Sequence, residues 1–186
     1  MSPFFSETLQ NLIDRKVILY PTDTVWGLGC DATSEEAVSK IYKIKKRSES
    51  KSLVILVDGL AKLKKIVKHI PEKALEILND SKRPTTIIYN NPQKLAKNVI
   101  AKDNTVAIRI VQDEFCQQLI AQFGKPIVST SANVSGNPTP QSFKEIDNSI
   151  LDAVDYVVNL HQDKICSTPS RIIKINDTGN VDVIRN

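Results

Sequence analysis

Apolar residues recur along this chain in two rhythms: short unbroken runs, and one-face spacings of three and four. Runs at 17–20, 53–57 and 105–110, with a β-branched stretch at 85–89, predict buried strands. Helical spacing predicts an opening helix over 4–12, and a second carrying Ala37, Ile41 and Ile44 behind a capping box of Thr33 and Glu36. Leu60, Leu63 and Val67 repeat between lysines, and Ala74, Leu75 and Leu78 follow Pro71, a residue suited to a first helical turn. A helix over 113–123, with Phe115, Leu119, Ile120 and Phe123 on one side, ends at Gly124 ahead of Pro126. A short strand at 127–128 then runs into the loop S-T-S-A-N-V-S-G-N-P-T-P. A helix from Ser142, with Glu145 at capping-box spacing, a strand over 154–158, and a hairpin of 171–175 and 181–185 turned at N-D-T-G-N close the chain. Strands alternating with helices predict an α/β fold.

Length and composition narrow this to one domain over residues 1–186. With 41% hydrophobic and 25% charged residues, the chain can bury a sizeable core without covalent staples. Its formal charge of +4 mildly favours polyanionic partners but is too small to establish nucleic-acid binding. Cys30, Cys116 and Cys166 are far apart and odd in number, and with His69 and His161 they show no zinc spacing. A reduced, cytoplasmic setting is expected. No basic leader precedes a long apolar run and no stretch reaches about 18 apolar residues, so export and membrane insertion lack support.

Candidate chemistry concentrates where a strand breaks at Pro21 into a loop carrying Thr22, Asp23 and Thr24 before Gly27 and Gly29. Such a loop offers hydroxyls, backbone N–H groups and close backbone approach. The helix beyond it is expected to end in Lys45, Lys46 and Arg47, with Lys46 turned about 100° from each neighbour. Hydroxyls at one end and cations at the other point to an anion site, although a cationic helix end is also an ordinary solvated one. Gly27 to Ala32 matches G-x-G-x-x-A with Glu49 beyond, but the intervening Pro21 to Trp26 and the late helix start disfavour a dinucleotide fingerprint. No Walker loop occurs. Arg109 stands alone in an apolar run, where snorkelling or ion pairing competes with a ligand role. The serines of 129–135 lack G-x-S-x-G context and a nearby orienting His, which argues against a serine nucleophile.

Taken together, P-T-D-T-V-W-G-L-G-C-D-A at 21–32, K-K-R at 45–47, V-A-I-R at 106–109 and S-T-S-A-N-V-S-G at 129–136 resemble the YrdC/TsaC family of threonylcarbamoyl-AMP synthases over nearly the whole chain. The resemblance implies a twisted mixed sheet flanked by helices, with a concave basic face. It implies that L-threonine, bicarbonate and ATP are combined into threonylcarbamoyl-AMP and pyrophosphate, for threonylcarbamoyladenosine beside tRNA anticodons. Matched motif by motif, the family's catalytic tetrad falls on Lys45, Arg47, Ser131 and Asn133, and its threonine pocket on Thr22, Arg109 and Ser170. Nucleotide contacts fall on Lys45, Arg47, Thr105, Ser129, Ser131, Asn133, Thr139 and Arg185. The usual W-P-G-P-x-T reads Ser81-Lys82-Arg83-Pro84-Thr85-Thr86, and the usual K-P-L reads Lys51-Ser52-Leu53.

The residues suit that chemistry. A carbamate attacking the α-phosphorus of ATP brings anions together and needs cations and N–H donors rather than a protein nucleophile. Lys45 and Arg47 supply charge, and the 129–133 loop can converge on phosphate as a nest does. Mg2+ is expected with the ATP, without identifiable protein ligands. The expected partners are the transferase machinery that modifies tRNA and, weakly and electrostatically, RNA itself. Two rivals are an RNA-binding module without catalysis, against which stand aromatic residues at only 5%, and an adenylating carbamoyltransferase using carbamoyl phosphate.

Overall fold

The computed structural model describes residues 2–48, 53–166, 168–176 and 179–186. Glu49 and the Lys51-Ser52 pair named above lie outside them.

Helix α1 (Pro3–Ile13) leads into β1 (Ile18–Tyr20) and β2 (Gly27–Gly29), followed by α2 (Glu35–Ile44), β3 (Val54–Val57), α3 (Leu60–Ile66) and α4 (Glu72–Asp80). Then come β4 (Thr85–Asn90), β5 (Thr105–Ile110), α5 (Glu114–Phe123), β6 (Ile127–Ser131), α6 (Asn148–Leu151), β7 (Tyr156–Val157), β8 (Arg171–Ile175) and β9 (Val181–Arg185). Among the described residues the strands form one sheet in the order β7-β1-β2-β6-β3-β5-β4-β8-β9. The pairs β1–β7, β3–β5 and β4–β8 are parallel and the rest antiparallel, so the sheet is mixed as expected. No described helix is long and apolar enough to cross a membrane.

Alternation along the strands sends two sets of side chains to opposite faces. On one face Leu19, Leu28, Val128, Ile55, Ile108, Ile87 and Ile173 join a single core with Ala37, Val38 and Ile41 of α2 and Leu63 and Ile66 of α3. On the other face Ile18, Tyr20, Ile127 and Leu56 pack under Phe5 and Leu12 of α1 and Cys116, Leu119 and Ile120 of α5. Those two helices roof only part of that second face. Beyond them, Ser129, Ser131, Val54, Arg109 and Ile172 share one cavity at the unroofed part.

Close backbone approach near β2 decides what sits there. A Cβ on Gly29 would lie 2.5 Å from Tyr20 Cε1 and 2.9 Å from Val128 O, so the tyrosine ring occupies the space that glycine leaves open. Tyr20 is fully buried and its hydroxyl donates to Val128 O at 3.2 Å.

Four local expectations are corrected. The N-cap of α2 is Ser34, whose hydroxyl accepts from Ala37 N, because Thr33 is drawn back by its N–H and hydroxyl to Asp31 Oδ1. That helix stops at Ile44: Lys46 adopts a left-handed φ of 49°, with Lys46 N on Lys43 O and Arg47 N on Tyr42 O. This is a Schellman turn, so the K-K-R cluster is a chain reversal and not a helix face. Strand β6 runs on to Ser131, since Gly27 and Leu28 pair with Ser131 and Thr130. Ser142 opens only a 3-10 turn over Phe143–Glu145, and the helix after it is four residues capped by Asp147.

Candidate active site

The unroofed part of the sheet and the loops around it enclose a cavity of about 180 Å³, lined by Thr24, Arg47, Arg109, Ser129, Ser131, Thr139, Ser170 and Arg185 among others. Ser129 and Ser131 share a face because β6 continues through them, and Gly27 opposite has no side chain to cover them. Arg109 points to the same face from the middle of the sheet, where β5 is flanked on both sides.

Lys45 is 1% exposed and does not line the cavity. Its ammonium donates to Ser131 O at 2.5 Å, Asn133 O at 2.7 Å and Asn133 Oδ1 at 3.2 Å, which uses all three N–H groups. Lys45 O in turn accepts from Ser135 N at 2.8 Å. The residue therefore straps the chain after β6 to the end of α2. Burial, and secondarily the Arg47 charge, pull its pKa down to about 7. Asn133 is organised by the same strap: its Oδ1 also accepts from Ser131 Oγ at 2.5 Å, and its Nδ2 donates to Asn137 O at 2.6 Å. Asn133 and Thr139 line an adjoining cavity of about 280 Å³, and Thr139 belongs to both.

The opposite wall is built by the last two strands. Arg185 donates from Nε and Nη2 to Ser170 O at 3.0 and 2.8 Å, and Ser170 Oγ lies 2.8 Å from Thr86 Oγ1. Burial and then the neighbouring Arg109 lower the Arg185 pKa, and burial lowers that of Arg47. Three guanidinium groups thus converge on one cavity, and Asp23 lies 3.0 Å from Arg109. Such a cluster of planar cations suits an anion.

Of the residues named from sequence, Arg47, Arg109, Ser129, Ser131, Thr139, Ser170 and Arg185 come together around the cavity, while Lys45 and Asn133 support it from behind. Thr22 is 1% exposed and turned into its own loop, its hydroxyl donating to Val25 O at 2.8 Å. Thr105 stands at the other end of β5, four residues or about 13 Å from Arg109 at the usual strand rise, with its hydroxyl on Asp103 Oδ1 at 2.7 Å. Sequence reasoning placed Asp23 and Thr24 in the candidate loop without giving either a role, and gave none to Thr86. A signal existed for Asp23: a lone buried arginine needs a counter-charge, and the loop 21–26 holds one carboxylate. Thr86 is legible only through its register opposite Arg109.

A larger cleft of about 920 Å³ lies at the other end of the sheet, beside Lys68, His69, Tyr89 and Asn90. None of the site residues expected from sequence lines it, and its rim carries the Lys73–Glu76 ion pair. Convergent donors, not volume, mark the smaller cavity as the site.

Residues 10–186 match the family model Sua5_yciO_yrdC, described as Telomere recombination. The threonylcarbamoyl-AMP synthase of Pseudoalteromonas translucida (strain TAC 125) is 34% identical over 151 residues, covering 80% of this chain and 81% of that protein. That of Blochmanniella pennsylvanica (strain BPEN) is 32% identical over 193 residues, covering 99% and 94%. The crystal structure of P. abyssi Sua5 complexed with L-threonine superposes with a TM-score of 0.84 at 24% identity, over 97% of this chain and 53% of that one. This last likeness is one of fold, and the chain spans about half of that longer protein.

Proposed function

The chain belongs to the Sua5/YciO/YrdC family, and from this we propose that it is a threonylcarbamoyl-AMP synthase, joining L-threonine, bicarbonate and ATP into threonylcarbamoyl-AMP and pyrophosphate. The observation that carries the reading is the convergence of Arg47, Arg109 and Arg185 with Ser129, Ser131 and Ser170 on one cavity. Its 180 Å³ suits an amino acid and falls below the roughly 300–1,000 Å³ of larger ligand pockets. The nucleotide accordingly lies over the open face, towards the adjoining cavity that shares Thr139.

The carbamate oxygen attacks the α-phosphorus and pyrophosphate leaves. The protein's task is to hold anions close and in line, which fixed cations and donors do without reorganising. Arg47 offers a planar fork to phosphate oxygens, and Ser129 and Ser131 offer hydroxyls. Ser131 is no nucleophile in this arrangement, because its hydroxyl donates to Asn133 Oδ1 rather than to a base. Lys45 acts through the strap, keeping Ser131 and Asn133 in place. Mg2+ would be carried by the ATP phosphates. Bound there it would neutralise phosphate charge; among the described residues no group of three or more His, Cys, Asp or Glu side chains could hold a metal ion. The product passes to the cytoplasmic machinery that transfers threonylcarbamoyl to tRNA adenosine, and direct RNA contact is weak and falls steeply with salt.

The test is pyrophosphate release with ATP, Mg2+, bicarbonate and single amino acids. Release should require bicarbonate and threonine together, and serine, lacking one methyl, should be roughly 10- to 200-fold poorer. Equal turnover with carbamoyl phosphate and no threonine would replace this reading by an adenylating carbamoyltransferase.

A further inference from the structure

Arg109 lines the cavity, and two of its buried nitrogens, with one buried oxygen of the adjoining Asp23, have no aligned hydrogen-bond partner. Arg109 Nη2 and Asp23 Oδ1 face each other at 3.0 Å, their side chains 4% and 9% exposed. The charges attract, yet Asp23 Oδ1 accepts no aligned hydrogen bond and Arg109 Nε and Nη2 donate none. The other carboxylate oxygen is engaged, since Asp23 Oδ2 accepts from Gln112 N at 3.1 Å. An ion pair that serves only the fold closes its own hydrogen bonds, as Lys125 and Asp31 do at 2.7 Å. The pair at the cavity stays half made, and unmatched buried polar atoms are costly enough that a ligand able to match them is favoured.

Resting on the reading of this cavity as an amino-acid site, we propose that Asp23 is a substrate-binding residue: with Arg109 it forms a clamp for a zwitterion, Arg109 taking the α-carboxylate and Asp23 Oδ1 the α-ammonium. In an α-amino acid the nitrogen lies about 2.5 Å from the carboxyl carbon, close to the 3.0 Å between the two protein charges. Insertion head to tail replaces one misaligned contact by aligned ones on all three atoms. The clamp also selects. A plain carboxylate gains Arg109 only in competition with Asp23, whereas a zwitterion satisfies both. Once the nitrogen is carbamoylated it keeps one N–H, which Asp23 Oδ1 still accepts, so the same contact orients the carbamate.

Calorimetry without ATP tests this, using L-threonine and (R)-3-hydroxybutanoate, which keeps the carboxylate, hydroxyl and methyl but lacks the amine. The wild-type protein should bind threonine at least about tenfold more tightly, and Asp23→Asn should lose on the order of 10- to 100-fold for threonine alone. The ratio between the two ligands then falls towards one, and the KM for threonine rises in the pyrophosphate assay. The asparagine oxygen can still accept from Gln112 N, so a residue that merely pins the loop would weaken both ligands equally or neither, and either result overturns the clamp. Wild-type protein that binds both ligands alike overturns it without any variant. Wild-type protein that neither binds threonine nor releases pyrophosphate overturns the amino-acid reading itself, whereas threonine binding with a ratio unchanged by Asp23→Asn defeats the clamp alone.

Discussion

Replacing Lys45 by methionine asks whether a buried ammonium holds the chain after β6 in its working shape. Methionine has a similar length and no donors, so the contacts to Ser131 O, Asn133 O and Asn133 Oδ1 are lost. Asn133 Oδ1 keeps the Ser131 hydroxyl and Ser131 O keeps the Asn133 N–H at 2.9 Å, which leaves one backbone carbonyl, Asn133 O, without its donor at about 1–3 kcal/mol. Against that loss stands the removal of a cation that burial holds down at about 7, a term of the same order at about 1.4 kcal/mol per pH unit. The two largely offset, so at pH 7 Lys45→Met should melt within about 5 °C of the parent. Turnover should nevertheless fall on the order of 100-fold, the scale expected when reacting groups drift by about an ångström. pH separates the terms further. The unfolded lysine keeps its proton up to 10.5 and the folded one only to about 7. Between these values the unfolded chain binds the extra proton, so this group makes stability rise with pH, by at most about 1.4 kcal/mol per unit. The methionine variant lacks that rise. Its melting temperature, followed by calorimetry, should fall progressively behind the parent's from pH 7 to 10 and keep a constant offset below 7. An offset that stays flat across that window refutes the buried-ammonium argument, and parental turnover in Lys45→Met refutes the strap.

Arg47→Ala should lower pyrophosphate release by about 100-fold, or roughly 3 kcal/mol of transition-state stabilisation, and Arg47→Lys should restore little because lysine lacks the fork; full activity in either would exclude Arg47 from the chemistry. Lys46→Gly should leave turnover unchanged and raise the urea midpoint by an amount worth about 0.5–1 kcal/mol, since a left-handed L-residue costs about 1–2 and glycine returns part of that as chain entropy. A lowered midpoint would mean that the turn at φ 49° is not strained. Gly29→Ala should destabilise by about 1–3 kcal/mol or more in urea, because the new Cβ meets Tyr20 Cε1 at 2.5 Å and the backbone oxygen of Val128 at 2.9 Å; an unchanged midpoint would show that the ring moves aside freely.

Much of the fold was legible because its signals are local. Apolar alternation over Thr105–Ile110, Arg171–Ile175 and Val181–Arg185 reproduces the observed strands to the residue, and Asp113 and Gly124 bracket α5 as N-cap and left-handed C-cap. Signals failed where a partner distant in sequence overrode them. Ser129 to Ser131 are hydroxyl-rich and resemble a loop, yet they remain a strand because Gly27 and Leu28 complete their ladder. Thr33 has the composition of a cap and loses the role to Ser34, because Asp31 Oδ1 captures its hydroxyl. Lys46 gives no sign of a chain reversal, since such turns usually advertise themselves with glycine.

Local pattern set the alternation of elements, the mixture of cations and hydroxyls, and the motifs that mark the family. Which of those side chains meet was decided by tertiary structure alone. Arg109 and Asp23 are 86 positions apart by their numbers, and Lys45 and Ser131 likewise; sheet register and the end of a helix bring each pair within bonding distance. The roof formed by α1 and α5 covers only part of one sheet face. Where it stops, strand alternation that elsewhere buries apolar side chains presents serines and an arginine instead, and there the chain has its site.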